Sequence, residues 1–495
     1  MVHRTIIITI KEYTYEKNNT YTIDEGQTMK DCIFRQYDIR GKVGSELPLD
    51  EVYALTQAIA YYFLQKNPSV KTVAVGADGR THSPHIKESV CKALQDSGLQ
   101  VVFIGICPTP VLYFSLFTLP YIDAGLMITA SHNGKEYNGI KICFNKESVW
   151  GSQIQEIKRL WQQGAALTPI DTGSYTEVAV IDTYVEWLAT HFKSLIGMNL
   201  SAVIDCGNGA GGTVMPHVLR RMQWNAVQLL YPEVDGTYPH HEADPIVEKN
   251  MQDVRAMLSN SSIEVGLGLD GDCDRMTPMT KEGELVQGDK VLALFAQPIL
   301  QSHPGAAIVF DVKCSAGLPE LIQQWGGNPC ISPSGHSIIK DQMKKKKGLL
   351  AGELSCHFFF HDRYFGYDDG IYAALRLFEL LINSGKSLHE LLQVFPKKYS
   401  TPEIRIECAD EVKEGIVEQV KQEFLKNTQA AVLAIDGIRV SLDYGWGILR
   451  ASNTQPVLCL RFESDTQEGL QHIQNDFVEQ MGLYFDKTIL QNALL

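Results

Sequence analysis

The sequence predicts an α/β protein with three related α/β domains followed by a smaller α+β domain. One pattern occurs three times, at residues 73–80, 202–212 and 307–317: an apolar strand ends at Asp or Gly and leads through a turn into a plausible helix. The copies start roughly 105–130 residues apart, which is the length of one domain. Beyond residue 400, strand patterns follow one another in hairpin order instead.

Alternating helices and strands define the first of these domains. A helix is expected at residues 49–63, because the apolar side chains there recur with helical spacing. A short β-branched strand follows at residues 72–75, then a helix at 84–94 and a buried strand at 99–106. Strand–helix–strand order with short connections is typical of a mixed or parallel sheet.

The C-terminal region has a different pattern. Residues 403–407 alternate as in a strand, and 412–424 have helical spacing. Two further strands are expected at 437–443 and 457–462, and a closing helix at 467–480. Strands in hairpin order that pack with helices predict an α+β domain.

Composition excludes several classes of protein. The 495 residues are 44% hydrophobic and 21% charged, which is too apolar for a disordered chain. Lys and Arg number 44 against 58 Asp and Glu, so the net charge is −14, which argues against a nucleic-acid partner. The apolar runs are far shorter than the roughly 20 residues that span a bilayer, so no membrane association is expected.

The cysteines indicate a reducing compartment. There are eleven of them, scattered, with no Cys-x-x-Cys pair and no Cys/His cluster of zinc spacing. Buried, reduced thiols are the simplest interpretation, and they predict a cytoplasmic protein.

Residues 1–28 differ from the rest of the chain. They contain one possible strand at residues 5–10 and a polar stretch at 16–27, without an apolar segment of signal-peptide length. We interpret them as an extension outside the folded core, either a non-native start or a frayed end.

A candidate nucleophile follows the apolar strand at residues 125–128. The strand runs into the segment TASHN, which contains Ser131 and His132. A small hydroxyl at a strand end, flanked by His and Asn, is a plausible nucleophile or phosphate carrier. Lys141 follows a Tyr-Asn-Gly turn that can return it to the same site. The same residues also form ordinary polar turns, so the spacing alone leaves both interpretations open.

A candidate metal site lies in the segment GLGLDGDCDR. Asp270, Asp272 and Asp274 alternate, so their carboxylates can converge on one side of the backbone. Hard oxygen ligands without His favour Mg²⁺ or Ca²⁺. An EF-hand is excluded, because Arg275 and Lys281 stand where it requires Gly and Glu. A solvated acidic turn is the remaining alternative.

Two further segments are candidates for ligand binding. Arg450, Ser452, Asn453 and Thr454 form a dense set of donors between two strands, as a phosphate dianion requires, although a polar hairpin loop would look similar. In the segment AGELSCH, Glu353 and Ser355 alternate and can face a common ligand. Taken alone, this second signal is weak.

Together, the identity, order and spacing of these motifs resemble the α-D-phosphohexomutase superfamily, most closely its bacterial phosphomannomutase/phosphoglucomutase branch. The resemblance covers nearly all of the chain from Phe34 onward. FRQYDIRG resembles the opening motif of the family, TASHN its phosphoserine loop and DGDCDR its metal loop. GELSCH resembles the sugar-specificity loop, and RASNTQP the phosphate-binding loop.

The resemblance implies four domains around a central cleft, three related mixed α/β domains and a C-terminal α+β domain. We place the phosphoserine domain at residues 29–177 and the metal-binding domain at 178–286. The sugar-specificity domain would span 287–397 and the phosphate-binding domain 398–495, with a linker at 400–402. The implied reaction moves phosphate between O1 and O6 of a hexose, mannose or glucose, through a phosphoserine enzyme and a hexose 1,6-bisphosphate, which also serves as activator.

The resemblance also implies roles for single residues. Ser131 would carry the phosphate, with Mg²⁺ held by a phosphate oxygen on Ser131 and by Asp270, Asp272 and Asp274. Catalytic roles fall to Arg40 and Arg275, which would stabilise the transferring group, and to three candidates for the general base: Lys141, His132 and His357. A lysine whose pKa is lowered between cations could serve as that base.

Substrate contacts follow from the same resemblance. Tyr37, Lys313 and His336 would line the site and bind the sugar phosphate, and Glu353 and Ser355 would bind the sugar hydroxyls. The loop with Arg450, Ser452, Asn453 and Thr454 would hold the non-reacting phosphate. Five basic residues would then converge in one cleft of an acidic protein and focus a positive field on small phosphates: Arg40, Lys141, Arg275, Lys313 and Arg450.

Alternative functions remain open at this point. A phosphoglucosamine mutase usually has GEQSGH in the specificity loop, so Leu354 favours the mannose or glucose branch. A non-catalytic sugar-phosphate-binding paralogue would lack the serine or an aspartate, and both are present. Cys356 replaces the usual Gly of that loop, where a Cβ disfavours positive φ. We expect hexose phosphates as partners, and a monomer or weak oligomer.

Overall fold

Four β-sheets follow one another along the chain. The computed structural model describes residues 31–167, 173–452 and 457–494. The predicted extension at residues 1–28 lies outside the described residues. The succession of three mixed sheets and one antiparallel sheet confirms the predicted three α/β units and one α+β unit. Within the described ranges, no helix is both long and apolar enough to cross a membrane.

A mixed sheet of seven strands forms the first unit. Its strands are β1 (Ile39–Lys42), β2 (Thr72–Ala77), β3 (Gln100–Ile106), β4 (Ala124–Ile128), β5 (Tyr137–Phe144), β6 (Glu147–Ser148) and β7 (Tyr175–Glu177). Their order is β1-β5-β4-β2-β3-β7, with β6 paired to β5. Its helices are α1 (Val52–Lys66), preceded by a 3₁₀ turn at Leu49–Glu51, α2 (Ser83–Asp96), α3 (Thr109–Thr118) and α4 (Ser152–Gln162).

The second unit has a four-stranded sheet of order β11-β10-β8-β9. Its strands are β8 (Ala202–Asp205), β9 (Val227–Leu230), β10 (Val265–Leu269) and β11 (Met276–Thr280). Its helices are α5 (Ile181–His191), α6 (Met215–Met222) and α7 (Gln252–Asn260), with 3₁₀ turns at Lys193–Leu195, Ala210–Thr213 and Glu248–Met251.

The third unit repeats this arrangement with the order β13-β12-β14-β15. Its strands are β12 (Ala307–Asp311), β13 (Asn328–Ser332), β14 (Leu350–Gly352) and β15 (Phe358–Phe360). Its helices are α8 (Gly288–Ser302), α9 (Gly317–Gln324), α10 (His336–Lys346), α11 (Gly370–Ser384) and α12 (Leu388–Leu392).

The fourth unit is antiparallel, with the order β16-β21-β20-β19-β18 and β17 paired to β21. Its strands are β16 (Tyr399–Ser400), β17 (Ile404–Glu407), β18 (Ala431–Leu433), β19 (Ile438–Leu442), β20 (Gly445–Ala451) and β21 (Val457–Ser464), and its helices are α13 (Asp410–Leu425), α14 (Gln467–Met481) and α15 (Lys487–Leu494). The expected linker at 400–402 begins inside this sheet, because Ser400 pairs with Glu463.

The first three units share one strand arrangement. In each, a central strand (β2, β8 or β12) lies between two parallel neighbours. One of these neighbours (β4, β10 or β14) then turns back into an antiparallel partner (β5, β11 or β15). The three turns, at residues 129–136, 270–275 and 353–357, are therefore topologically equivalent, and they hold three of the four predicted motifs.

The cores show how the units associate. A single apolar cluster runs through the first three units and includes Phe114, Tyr184 and Phe310. The fourth unit has a core of its own, between its sheet and helices α13 and α14. A small cluster of Val312, Trp446 and Ile448 joins it to the third unit. The first three units therefore share a large apolar core, which holds their three turns in fixed relative positions. The fourth unit contacts the third through a much smaller apolar cluster.

Candidate active site

The three equivalent turns meet in space. The first carries Ser131, the second the three aspartates, and the third His357. A Cβ atom added to Gly271 would lie 2.5 Å from the Ser131 carbonyl oxygen, so the first two turns are in direct contact. An isolated antiparallel bridge between Arg275 and His357 joins the second turn to the third. The repeat therefore assembles one site from three sheets.

Ser131 is buried at the end of β4. Its backbone is left-handed, with φ +52°, and its N–H donates to Thr129 Oγ1 at 2.8 Å. The Ser131 hydroxyl donates to Asp270 Oδ2 at 3.0 Å, and His132 Nδ1 lies 3.1 Å from the same hydroxyl oxygen. The serine thus faces both an acidic group and a potential base, as a phosphate carrier requires.

The three aspartates form a buried acidic cluster. Asp270, Asp272 and Asp274 each place a carboxylate oxygen within 4.8 Å of the others. Within the described part of the chain, the Oδ1 atoms of Asp272 and Asp274 are buried without a hydrogen-bond partner. Burying a charged carboxylate without a hydrogen-bond partner is unfavourable in free energy unless a nearby cation balances its charge. The cluster fits a metal-dependent enzyme, and its hard oxygen donors suit a divalent cation.

Lys141 extends from β5 into this cluster. Its Nζ donates to Asp272 Oδ2 at 2.7 Å and to Asp274 Oδ2 at 2.5 Å. Burial alone would lower the pKa of Lys141, but the two carboxylates raise it above its usual value. The lowered pKa that Lys141 would need to act as a base is opposed by these contacts, because its two hydrogen-bond partners are carboxylates. Lys141 is therefore held as an ammonium that neutralises the cluster.

The two candidate histidines have opposite environments. Burial, together with the nearby Arg275 and Arg40, lowers the pKa of His132 well below its usual value, so this imidazole is neutral. Burial also opposes charge on His357, whose Nδ1 lies 3.5 Å from Asp274 and 3.2 Å from Asp368. These carboxylates more than offset burial and raise the pKa of His357.

Two arginines flank the serine. Arg275 donates from Nε to Asp270 Oδ2 at 2.9 Å and is almost fully buried. Arg40 donates from Nη1 to Asn133 Oδ1 at 2.7 Å, in the turn that carries Ser131, and also pairs with Asp38. Both guanidinium groups are therefore anchored beside the serine by carboxylate or amide oxygens.

The predicted sugar-binding residues gather at the segment before α10. The Tyr37 hydroxyl donates to the Ser334 carbonyl oxygen at 2.7 Å, and its ring lies edge-on to His336 with centroids 6.1 Å apart. Glu353 accepts a hydrogen bond from the Gly335 N–H at 2.6 Å. Residues from the first and third units thus meet here.

Arg450 and Lys313, which were predicted to bind the sugar phosphate, lie at the junction of the third and fourth units. The Arg450 guanidinium donates to Asp436 at 3.1 and 3.2 Å, and Asp436 also accepts from the Ser334 N–H at 3.0 Å. Lys313 Nζ lies 3.6 Å from Asp311 and 3.7 Å from Glu403. The side chains of Arg450 and Lys313 are therefore both paired with carboxylates at the junction of the third and fourth units.

The loop after Arg450 is described only in part. The Ser452 N–H donates to the Val457 carbonyl oxygen at 2.9 Å, which closes the hairpin. Asn453 and Thr454 lie outside the described residues.

The specificity turn contains a strained residue. Cys356 has φ +68° and is almost fully buried, so a residue with a Cβ occupies the position where a positive φ was expected. A left-handed conformation costs a non-glycine residue about 1–2 kcal/mol. Ser355, one residue earlier, is partly buried in the same turn.

Three residues in or beside the site were not predicted. Thr109, at the start of α3, donates from its hydroxyl to Asp272 Oδ2 at 2.6 Å and from its N–H to the Asp272 carbonyl oxygen at 2.9 Å. Asp368 accepts from Lys340 at 3.0 Å and lies 3.6 Å from His336 as well as beside His357. Arg80 holds the serine turn. Thr109 lies in the segment PTPVLYF and Arg80 ends the first copy of the repeated strand pattern, at residues 73–80, but neither pattern indicated a role in the site.

A buried serine, an acidic cluster and paired arginines together suit the transfer of phosphoryl groups, in which positioning and charge neutralisation do most of the work. Comparison with known proteins identifies the kind of transfer. Models of the phosphoglucomutase/phosphomannomutase alpha/beta/alpha domains I, II and III match residues 31–167, 182–283 and 287–399, and the model of the C-terminal domain matches 403–480.

Curated relatives and a solved structure belong to the same family as these models. A phosphomannomutase/phosphoglucomutase of Pseudomonas syringae pv. tomato is 40% identical over 449 residues, which are 91% of this chain and 95% of that protein. A phosphoglucomutase of Neisseria gonorrhoeae is 39% identical over 90% of this chain and 95% of its own. A phosphoglucomutase/phosphomannomutase family protein from Burkholderia thailandensis has a TM-score of 0.83 at 33% identity, covering 91% of this chain and 97% of its own.

The chain belongs to the phosphoglucomutase/phosphomannomutase family. It is a hexose phosphate mutase, and the prediction made from its motifs is confirmed at this level.

Proposed function

We propose that this mutase transfers phosphate between O1 and O6 of mannose or glucose phosphates through a phosphoserine at Ser131 and a hexose 1,6-bisphosphate. The observation that supports this most strongly is the Ser131 hydroxyl, which lies 3.0 Å from Asp270 at the edge of the acidic cluster. A phosphate carried there would lie between the cluster and the two arginines. A coupled assay with mannose 1-phosphate, glucose 1-phosphate and glucosamine 1-phosphate tests the substrate, since a strong preference for the last would favour the phosphoglucosamine mutase alternative.

Asp270, Asp272 and Asp274, together with a phosphate oxygen on Ser131, would hold Mg²⁺. Two buried Oδ1 atoms, those of Asp272 and Asp274, have no hydrogen-bond partner among the residues that the structure describes, which supports this assignment, as does a donor set made only of oxygen. Bound there, Mg²⁺ would neutralise charge and act as a Lewis acid on the phosphoryl group. Lys141 would share its ammonium with the same carboxylates and keep them close together.

The arginines and histidines would act on the reacting groups. Arg275 and Arg40 would stabilise the equatorial oxygens of the transferring phosphoryl group. His132, neutral and 3.1 Å from Ser131 Oγ, would exchange a proton with the serine. His357 would act on the sugar side, and its Nδ1 lies 3.2 Å from Asp368. Lys141, His132 and His357 stay the candidates for the general base, and His357 would serve at the sugar hydroxyl only in its neutral form, which its raised pKa disfavours.

The opposite end of the substrate would bind at the seam of the third and fourth units. Arg450, Ser452, Asn453 and Thr454 would hold the non-reacting phosphate, with Lys313 and His336 adding contacts. Glu353 and Ser355 would bind sugar hydroxyls, and Tyr37 would line the site. The bisphosphate would then turn over and return its other phosphate to Ser131.

Thr109→Val should weaken the metal site. The change removes the hydroxyl that donates to Asp272 but keeps the volume, and the loss of such a supporting hydrogen bond typically costs 10–100-fold in metal affinity. We expect the Mg²⁺ concentration for half-maximal turnover to rise by about that factor. Thr56→Val is the matched control, because Thr56 is equally buried and its hydroxyl donates to the Val52 carbonyl oxygen within α1. An unchanged Mg²⁺ dependence in Thr109→Val would contradict the assignment.

Arg450→Ala should mainly raise the KM for hexose phosphate. The proposed grip acts on the substrate in both the ground state and the transition state, so turnover at saturation should change little. Loss of charged hydrogen bonds worth about 1.5–3 kcal/mol corresponds to roughly 10–100-fold in KM. Arg221→Ala, which removes a surface arginine paired with Glu186, is the control. A fall in kcat at constant KM would show that the docking role is wrong.

The cellular setting is also a proposal. All eleven cysteines are free and most are buried, which supports residence in the reducing cytoplasm. We expect a monomer or weak oligomer without nucleic-acid or membrane partners, and sedimentation of the purified protein checks the oligomeric state.

A further inference from the structure

We propose that Arg80 is a positioning residue for Ser131. Its guanidinium would set the backbone of the turn that carries the serine and hold that turn against the aspartate turn. The proposal rests on the phosphate-carrying role proposed for Ser131. Arg80 lies directly after the first repeated strand, in the motif GADGR, and its side chain is fully buried.

Every N–H donor of the Arg80 guanidinium is used within the protein. Nε donates to the Asp78 carboxylate at 3.1 Å. Nη1 and Nη2 donate to four carbonyl oxygens of the serine turn, those of Ser131 (2.8 Å), Asn133 (2.6 Å), Gly134 (2.7 Å) and Tyr137 (3.0 Å). A guanidinium has five such donors, so none is left for a substrate. Arg80 can therefore act only through the turn.

The turn needs this support because its serine is strained. Ser131 has φ +52°, a region that non-glycine residues seldom adopt and that persists only when surrounding contacts impose it. The strained conformation directs the hydroxyl toward Asp270. Four carbonyl oxygens bound to one planar, rigid group determine that conformation more strongly than a flexible lysine could.

Arg80 also connects the first unit to the second. A Cβ on Gly236 would lie 2.6 Å from Arg80 Cα, and the Tyr238 ring covers the guanidinium at 5.3 Å. On the other side, a Cβ on Gly271 would lie 2.5 Å from the same Ser131 carbonyl oxygen that Arg80 binds. That carbonyl is thus enclosed between Arg80 and the aspartate turn, so a shift of either would move the hydroxyl relative to Asp270.

Arg80→Lys tests the proposal with the full-length enzyme at saturating Mg²⁺. Lysine keeps the positive charge beside Asp78 but cannot bind four carbonyls. Misplacement of a reacting group by about 1 Å costs on the order of 10²-fold in rate, so we expect kcat to fall by about that factor. KM for hexose 1-phosphate should change by less than about threefold, because substrate contacts are untouched.

Arg376→Lys is the matched control. Arg376 is also a buried arginine paired with an aspartate, Asp362 at 2.8 Å, but it lies on α11, outside the proposed site. We expect it to lower the melting temperature and leave kcat unchanged. A second variant, Asp78→Asn, keeps the shape of the side chain but removes its charge and replaces one accepting oxygen with an NH₂ donor, so it can no longer accept both from Arg80 Nε and from the Arg80 N–H and the Ser83 hydroxyl. We expect a smaller fall in kcat from it, again at constant KM.

The outcomes separate the two proposals. Wild-type kcat in both Arg80→Lys and Asp78→Asn, or a rise in KM at constant kcat, would overturn the role of Arg80. If Arg80→Lys does not fold, Asp78→Asn carries the test. A wild-type enzyme that turns over without phosphate on Ser131, measured by intact mass, would contradict the proposed function itself. A phosphorylated wild type with unaffected variants would contradict only the positioning role.

Discussion

Ser131→Ala is expected to lose mutase turnover by about 10⁴-fold or more, because no covalent route remains once the phosphate carrier is removed. The variant should fold, since among the described residues the hydroxyl hydrogen-bonds only to Asp270 and His132, while the turn is held through backbone carbonyl groups. Intact mass should show one phosphate on the wild type and none on the variant. A coupled assay with glucose 1-phosphate measures the rate.

Ser45→Ala is the control, because Ser45 is an exposed serine of the same unit and should retain both phosphate and turnover. Substantial mutase activity in Ser131→Ala, with the phosphate still present, would place the carrier on another residue. Release of free phosphate by the wild type, without formation of the isomer, would indicate a phosphatase instead.

Asp272→Ala is expected to reduce turnover by on the order of 10³-fold, because it removes one of the three carboxylates proposed to hold Mg²⁺ beside the phosphoryl group. Folding should survive, because Lys141 keeps its contact with Asp274. Turnover measured across a range of Mg²⁺ concentrations should not recover at saturation.

Asp205→Ala provides the matched control. Asp205 is a buried aspartate of the same unit that pairs with His241; its loss should lower stability and leave turnover within a few fold. Near-wild-type turnover of Asp272→Ala in Mg²⁺ would refute the metal assignment.

The order of three α/β units and one α+β unit could be predicted from the sequence, because strand and helix patterns depend on residues close together in the chain. The three strand–turn copies near residues 73, 202 and 307 reappear as the central strands of three sheets with the same strand arrangement. Ser131 and the three aspartates were predicted because each motif lies within one turn. The structure shows that these turns occupy equivalent positions in the repeated units. This equivalence explains why they lie in contact with one another.

The supporting contacts could not be predicted, because they join distant parts of the chain. Thr109 binds an aspartate 163 residues away, and Asp368 contacts His336 and Lys340 only after α10 folds back toward the third turn. The neighbours of Lys141 could not be predicted for the same reason. Spacing showed that the residue could reach the site, but not that two carboxylates would be its neighbours.

In the proposed reaction, Ser131 donates its phosphate to the sugar and receives another in return. The most direct measurement is a single turnover of enzyme that carries labelled phosphate on Ser131, mixed with unlabelled hexose 1-phosphate and quenched over time. We expect the label to leave the protein, pass through hexose 1,6-bisphosphate and end in hexose 6-phosphate, while the enzyme becomes phosphorylated again. Label that stays on the protein during turnover, or appears only as inorganic phosphate, would contradict it.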